Sequence, residues 1–181
     1  MTFPALKQLQ EFLNTYPHDD ICDIGGWEKI EVDAQIPVPG GYKEVVGRLS
    51  QPLERAIYDM RDDVSYDITQ SPLPRKHQTI ICMDTFEHLY DPVRAAENII
   101  KSLEDGGYLF LTTMYVFRYH RYPVDTYRYT DNVLKWLFRD LKIDKAWYEE
   151  EVSLDDDPRK MGREWRVSII AHKATKARAK S

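Results

Sequence analysis

Acids, glycines and histidines recur in this chain just after short apolar runs, the places where an open α/β sheet meets its ligands. Asp23 and the pair Gly25-Gly26 close the run from Ile21, and glycine there lets backbone approach a ligand closely. Asp59 closes the run from Arg55, where a carboxylate can accept hydrogen bonds from ribose hydroxyls. Asp67-Ile68 closes a third, an acid suited to an adenine amino group beside an apolar side chain suited to the ring face. Taken singly, each is also what an ordinary strand-to-turn junction looks like. Asp125 and Arg128 stand three apart, so in a helical turn they pair on one face. That pair serves either to order a loop or to let Arg128 grip a carboxylate or phosphate.

The elements that must position these residues follow from periodicity. Leu6, Leu9, Phe12 and Leu13 make one helical stripe. Ile21 to Ile24 reads as a short buried strand, and residues 27–50, with their prolines and glycines, as a long loop with at most a brief helix. Arg55 to Asp59 and Val64 to Ile68 read as short strands. Thr79 to Met83 and Tyr108 to Thr113 are apolar, β-rich runs suited to a sheet covered on both faces. Between them Asp91-Pro92 predicts a helix start, with Val93, Ala96, Ile99, Ile100 and Leu103 as its stripe and Gly106-Gly107 as its left-handed stop. A second helix is predicted from Thr130 or Asp131, carrying Val133, Leu134, Leu137, Phe138 and Leu141. Two further strands, Ile143 to Glu149 and Trp165 to Ala171, have no helix between them and so pair antiparallel at a sheet edge. The sum is an α/β, Rossmann-like, mostly parallel seven-stranded sheet with an antiparallel edge strand and helices on both faces. It forms one domain over residues 1–173, followed by a flexible basic tail over 174–181.

Composition agrees. With 181 residues, 43% hydrophobic and 30% charged, the chain reads as one globular domain that needs no disulfides to hold its core. Cys22 and Cys82 sit in apolar runs and read as buried, reduced thiols of a cytoplasmic protein. The N-terminus lacks the order of a signal sequence, and no apolar run reaches membrane-span length. Net charge of −5 argues against a nucleic-acid surface, although the run from Tyr115 to Tyr122 interleaves aromatics with cations. Asp84, Glu87 and His88 share helical spacing, but with no second histidine at ligand spacing they do not read as a metal site.

Three longer motifs carry a family resemblance. The stretch Thr79-Ile-Ile-Cys-Met-Asp-Thr-Phe-Glu-His-Leu-Tyr-Asp-Pro92 resembles strand four and the Glu-His-(apolar)-x-Asp-Pro segment of class I S-adenosylmethionine-dependent methyltransferases of the type 11 branch. Ile100 to Thr113 is similar to that branch's turn into strand five, and His120 to Thr130 to a signature of a subset of it. The resemblance implies S-adenosylmethionine as cofactor and a small-molecule, sugar or lipid-type acceptor. It implies Asp23, Gly25 and Gly26 near the methionine moiety, Asp59 at the ribose and Asp67-Ile68 at the adenine, with Met83, Asp84 and Thr85 lining the cofactor after strand four. On the acceptor side it implies the loop from Met114 to Thr130, with Tyr122, Asp125 and Arg128. His120 and His88 are then candidate bases for a hydroxyl acceptor, since histidine titrates near working pH; His88 alternatively packs against backbone after strand four.

The chain departs from the family pattern at the glycine loop, where Trp27, Glu28 and Lys29 follow Gly25-Gly26, and in a long interval from Asp23 to Asp59. Those departures motivate an alternative, a cofactor-free member of the fold acting as a binding or regulatory partner. Because the elements consume nearly the whole chain, the pocket is expected to be open or to borrow a wall from a second chain, as a homodimer or with a partner protein.

Overall fold

The computed structural model describes residues 3–16, 20–25, 54–56, 67–119, 124–150 and 164–175. Within them, β1 (Ile21–Ile24), β2 (Glu54–Ala56), β3 (His77–Met83), β4 (Leu103–Met114), β5 (Lys142–Glu150) and β6 (Glu164–His172) form one six-stranded sheet in the order β2-β1-β3-β4-β6-β5. The first four run parallel; β6 slots antiparallel between β4 and β5. The expected antiparallel pair therefore closes one side of the sheet, with β6 as its inner strand.

Side chains alternate across the strands, and the core divides accordingly. Ile81, Met83, Phe110 and Ile170 pack with Leu9, Phe12 and Leu13 of α1 (Phe3–Thr15). Their neighbours Ile80, Cys82, Leu109, Leu111, Val167 and Ile169 pack with Ala95, Ala96 and Ile99 of α2 (Pro92–Ser102) and Leu134 and Leu137 of α3 (Asp131–Leu137). Asp91 caps α2 through its carboxylate and the Arg94 N–H at 2.9 Å, with Pro92 first in the helix. Thr130 caps α3. Cys22 and Cys82 are buried free thiols.

Three sequence expectations are corrected. Gly106-Gly107 does not stop α2, which ends at Ser102 with Leu103 already extended. The glycines instead let β4 bulge past its neighbours: Gly106 has φ +80 and donates to the Lys173 carbonyl at 2.9 Å, and a Cβ on Gly107 would lie 2.9 Å from the Gln78 carbonyl. The strand expected over Val64 to Ile68 does not reach Ile68. Asp67 Oδ1 accepts from the Thr69 N–H at 2.8 Å and hydroxyl at 2.7 Å, which folds residues 67–70 into a turn. Val93 and Val133, expected on buried stripes, are exposed, because each lies at the outer margin of its helix. The predicted loop over 27–50, most of the strand from Arg55 to Asp59 and the tail from 176 onward lie outside the described residues. Among the described residues no helix is long and apolar enough to cross a membrane.

Candidate functional site

The carboxyl ends of β1, β3 and β4 meet at Gly25, Asp84 and Thr85. Gly25 has φ +83, and a Cβ there would fall 2.0 Å from Thr85 Oγ1. Glycine is thus demanded twice, by backbone conformation and by contact. The Thr85 hydroxyl is shared between the carbonyls of Met83 at 2.9 Å and Ile24 at 3.3 Å, so it staples the exits of β1 and β3 together. Asp23 and Met83 are buried beside this junction.

Asp84 follows with φ +49, a left-handed conformation uncommon for a residue with a side chain. Its N–H donates to the Thr112 carbonyl at 2.9 Å, and its carboxylate receives a two-pronged grip from Arg166, Nε at 2.8 Å and Nη2 at 2.9 Å. Arg166 is 4% exposed on β6. Burial opposes its charge, but Asp84, then Glu149 and Glu87, outweigh this and raise its guanidinium above the ordinary value. Glu149 on β5 is also 4% exposed. Burial pushes its carboxyl upward, against the pull of Arg166 and of Ser168, whose Oγ donates to Glu149 Oε1 at 3.1 Å.

Glu87 lies in the 3-10 turn Phe86–His88 and is fully buried. Burial first, and the Asp84 charge second, push its carboxyl up to about 8, while the Thr113 hydroxyl at 2.7 Å pulls the other way. At neutral pH Glu87 is therefore largely protonated. Residues 124–130 strap this turn. The Thr126 N–H and hydroxyl donate to the Glu87 carbonyl at 2.8 and 2.7 Å, and the Tyr129 hydroxyl donates to that of Phe86 at 2.9 Å. His88 Nδ1 bonds the Val124 carbonyl. A carbonyl only accepts, so in the neutral ring Nδ1 carries the proton and Nε2 keeps the lone pair, 3.9 Å from Glu87 Oε1. Arg128 forks onto Asp125, with Nη2 2.8 Å from Oδ2, and also donates to the carbonyls of Phe117 and Arg118. That geometry ties residues 117–118 to residues 125–128.

The residues singled out from sequence thus fall into groups. Asp23, Gly25, Met83, Asp84 and Thr85 come together at one sheet end, and His88, Asp125 and Arg128 belong to the strapped turn beside it. Asp67 spends one oxygen on its own turn, and Ile68 is buried in the core cluster. Gly26, Asp59, His120 and Tyr122 lie outside the described residues. Sequence reasoning missed Thr112, Glu149, Arg166 and Ser168. The signal was present in the last strand, where Arg166 and Ser168 alternate with Val167, Ile169 and Ala171.

A parallel sheet with one strand inserted antiparallel beside its last member, and a glycine turn at the exit of the first strand, defines the class I fold of S-adenosylmethionine-dependent methyltransferases. The family model described as "Methyltransferase domain" matches residues 22–173, and the chain belongs to that family. No curated protein matches. Among solved structures, the chain is similar to one in the complex between the Haloferax volcanii Trm112 methyltransferase activator and the putative methyltransferase, at 15% identity and TM-score 0.58, covering 97% of this chain and 91% of that one. The N-methyltransferase NodS from Bradyrhizobium japonicum WM9, in complex with S-adenosyl-L-homocysteine, gives 15% identity and TM-score 0.57, covering 94% and 85%. The [4+2]-cyclase SpnF gives 14% and 0.59, covering 95% and 80%.

Proposed function

We propose that this chain transfers a methyl group from S-adenosylmethionine to a small-molecule, sugar or lipid-type acceptor, with both bound at the carboxyl ends of β1, β3 and β4. The observation that carries the reading is the Gly25 turn: bare backbone, held at positive φ and stapled to β3 through Thr85. The residues present fit the cofactor there, since the Gly25 backbone at positive φ lies beside Thr85 where β1 and β3 end. Asp23, Gly25 and Gly26 would hold its methionine end, Asp59 the ribose, and Asp67 with Ile68 the adenine. Met83, Asp84 and Thr85 would line it. Arg166 already occupies the Asp84 carboxylate, so Asp84 contributes chiefly backbone.

The bound cofactor supplies an already activated methyl group, which leaves this chain to orient the acceptor and exclude water. For a hydroxyl acceptor, His88 Nε2 or His120 takes up the proton. Tyr122, Asp125 and Arg128 flank the acceptor side. The motifs around Asp84 to Pro92 and His120 to Thr130 support placement near the type 11 branch within a seven-stranded fold with helices on both faces. Calorimetric titration with S-adenosylhomocysteine tests the proposal: saturable binding, weakened in Gly25→Ala, is expected, and no binding at millimolar concentration to a folded protein sinks it.

A second reading, a cofactor-free member acting as a partner, is favoured by the exposed aromatics Tyr90, Tyr119 and Trp136. SpnF, a cyclase, is a reminder that the fold hosts more than one chemistry. Copurifying cofactor would reject this reading. A homodimer or partner chain is compatible with both, as light scattering on the purified chain would reveal.

A further inference from the structure

Three polar atoms are buried without a hydrogen-bond partner on one face of the sheet: Thr112 Oγ1, Trp147 Nε1 and Glu149 Oε2. Strand register explains why they are neighbours. Thr112, Ser168 and Trp147 lie opposite one another across β4, β6 and β5, and Met114, Arg166 and Glu149 form the next row toward the carboxyl end of β4. Residues two apart on a strand share a face, so the two rows make one patch. The row on the other side, Phe110 with Ile170, is packed by Phe12 of α1, ring centroids 5.2 Å apart on Phe110. The patch is therefore polar where Phe110 and Ile170 beside it are apolar and filled, with Lys145 at its margin, Nζ 4.6 Å from the centre of the Trp147 ring. Native interiors rarely leave such atoms unpaired, and a concentration of them calls for a ligand group.

The chemistry of that group follows from what is already paired. Arg166 gives Nε and Nη2 to Asp84, and Ser168 gives its hydroxyl to Glu149 Oε1. Glu149 Oε2 and Thr112 Oγ1 remain as acceptors, and Asp84 with Glu149 places two carboxylates around one guanidinium. An anion would be repelled by Glu149 and by Asp84, which already holds Nε and Nη2 of Arg166. A nitrogen carrying hydrogens, neutral or cationic, supplies the donors these acceptors lack. We propose that Thr112 and Glu149, oriented by Ser168 and Arg166, form a subsite that holds an amino group of the acceptor. Trp147 Nε1 then donates to an oxygen of the same molecule. Naming the ligand as acceptor rests on the methyltransferase reading; the amine subsite itself does not.

Thermal unfolding of the full chain is followed with 2-phenylethylamine, 2-phenylethanol and 3-phenylpropanoate, each with and without S-adenosylhomocysteine. The amine alone is expected to raise Tm, with its apparent affinity falling about tenfold or more in Glu149→Gln. Thr112→Val removes an unpaired hydroxyl at constant shape, so it should raise the ligand-free Tm by about 2–4 °C while weakening the amine response. Equal responses to the three probes, amine binding indifferent to Glu149→Gln, or a fall in Tm in Thr112→Val would each overturn the subsite. Absence of S-adenosylhomocysteine binding would overturn the methyltransferase reading and leave the amine comparison standing.

Discussion

The two ends of the sheet use the same ingredients to opposite effect. At the amino end Asp20 receives both prongs of Arg75, at 2.7 and 2.9 Å, and lies 3.1 Å from His77 Nδ1, in partial contact with solvent. The Arg75 hydrogen bonds, against a smaller effect of burial and with help from His77, hold the Asp20 carboxyl below its usual value. At the carboxyl end Asp84 receives an equivalent fork from Arg166, yet the neighbouring acids Glu87 and Glu149 are buried and pushed upward. Acids at one end are paired and content to be charged; at the other they are kept dry, partly unpaired and reluctant to ionise. Such reluctance clusters at sites that do chemistry, so the contrast sets the candidate site at the carboxyl end apart from the scaffold at the amino end.

The comparison is most easily broken with the two arginines. Arg166→Ala leaves the half-buried Asp84 in its left-handed turn without its fork and the buried Glu149 without its neighbouring cation, and is expected to cost about 3–5 kcal/mol in a denaturant titration. Arg75→Ala, at an exposed pair, should cost no more than about 1 kcal/mol. Equal losses would erase the distinction between the ends.

Glu87 sharpens it through pH. Its carboxyl titrates at about 8 when folded against an ordinary 4.5, so the folded state binds an extra proton between those values. Stability should therefore fall as pH rises from about 4.5 to about 8, and Glu87→Gln should remove that slope in a Tm-versus-pH series. A wild-type profile that is flat across the window contradicts the assignment.

Asp20 gives the smallest and opposite effect. Its lowered carboxyl contributes stability that is present above 3.8 and disappears as pH falls through its folded value. Asp20→Asn should cost less than about 1 kcal/mol at neutral pH and nothing in strong acid.

Local physics made much of this legible from sequence. The continuous burial of Ile80 to Met83, the Asp91-Pro92 start of α2 and the Thr130 cap each depend on neighbours within a few residues. Gly25 was recognisable as special, although its contact with Thr85 was not. What escaped was long-range. The Asp84–Arg166 pair joins residues 82 positions apart and exists only because β6 inserts between β4 and β5. Asp67 escaped for the reverse reason: a short-range bond to Thr69 competed with the strand that periodicity suggested.

That insertion also sets a timetable for folding. β4 precedes β5 in the chain, yet they never touch as sheet neighbours; each offers an unpaired edge until β6 arrives to bond both. Until then β4 and β5 keep open edges, the arrangement most inclined to recruit a strand from another molecule. The left-handed bend at Asp84 waits on the same event, since its clamp arrives with β6. The protein should thus collapse around its parallel strands first and acquire its working end last, so a chain stalled before that step would be aggregation-prone and without a formed site.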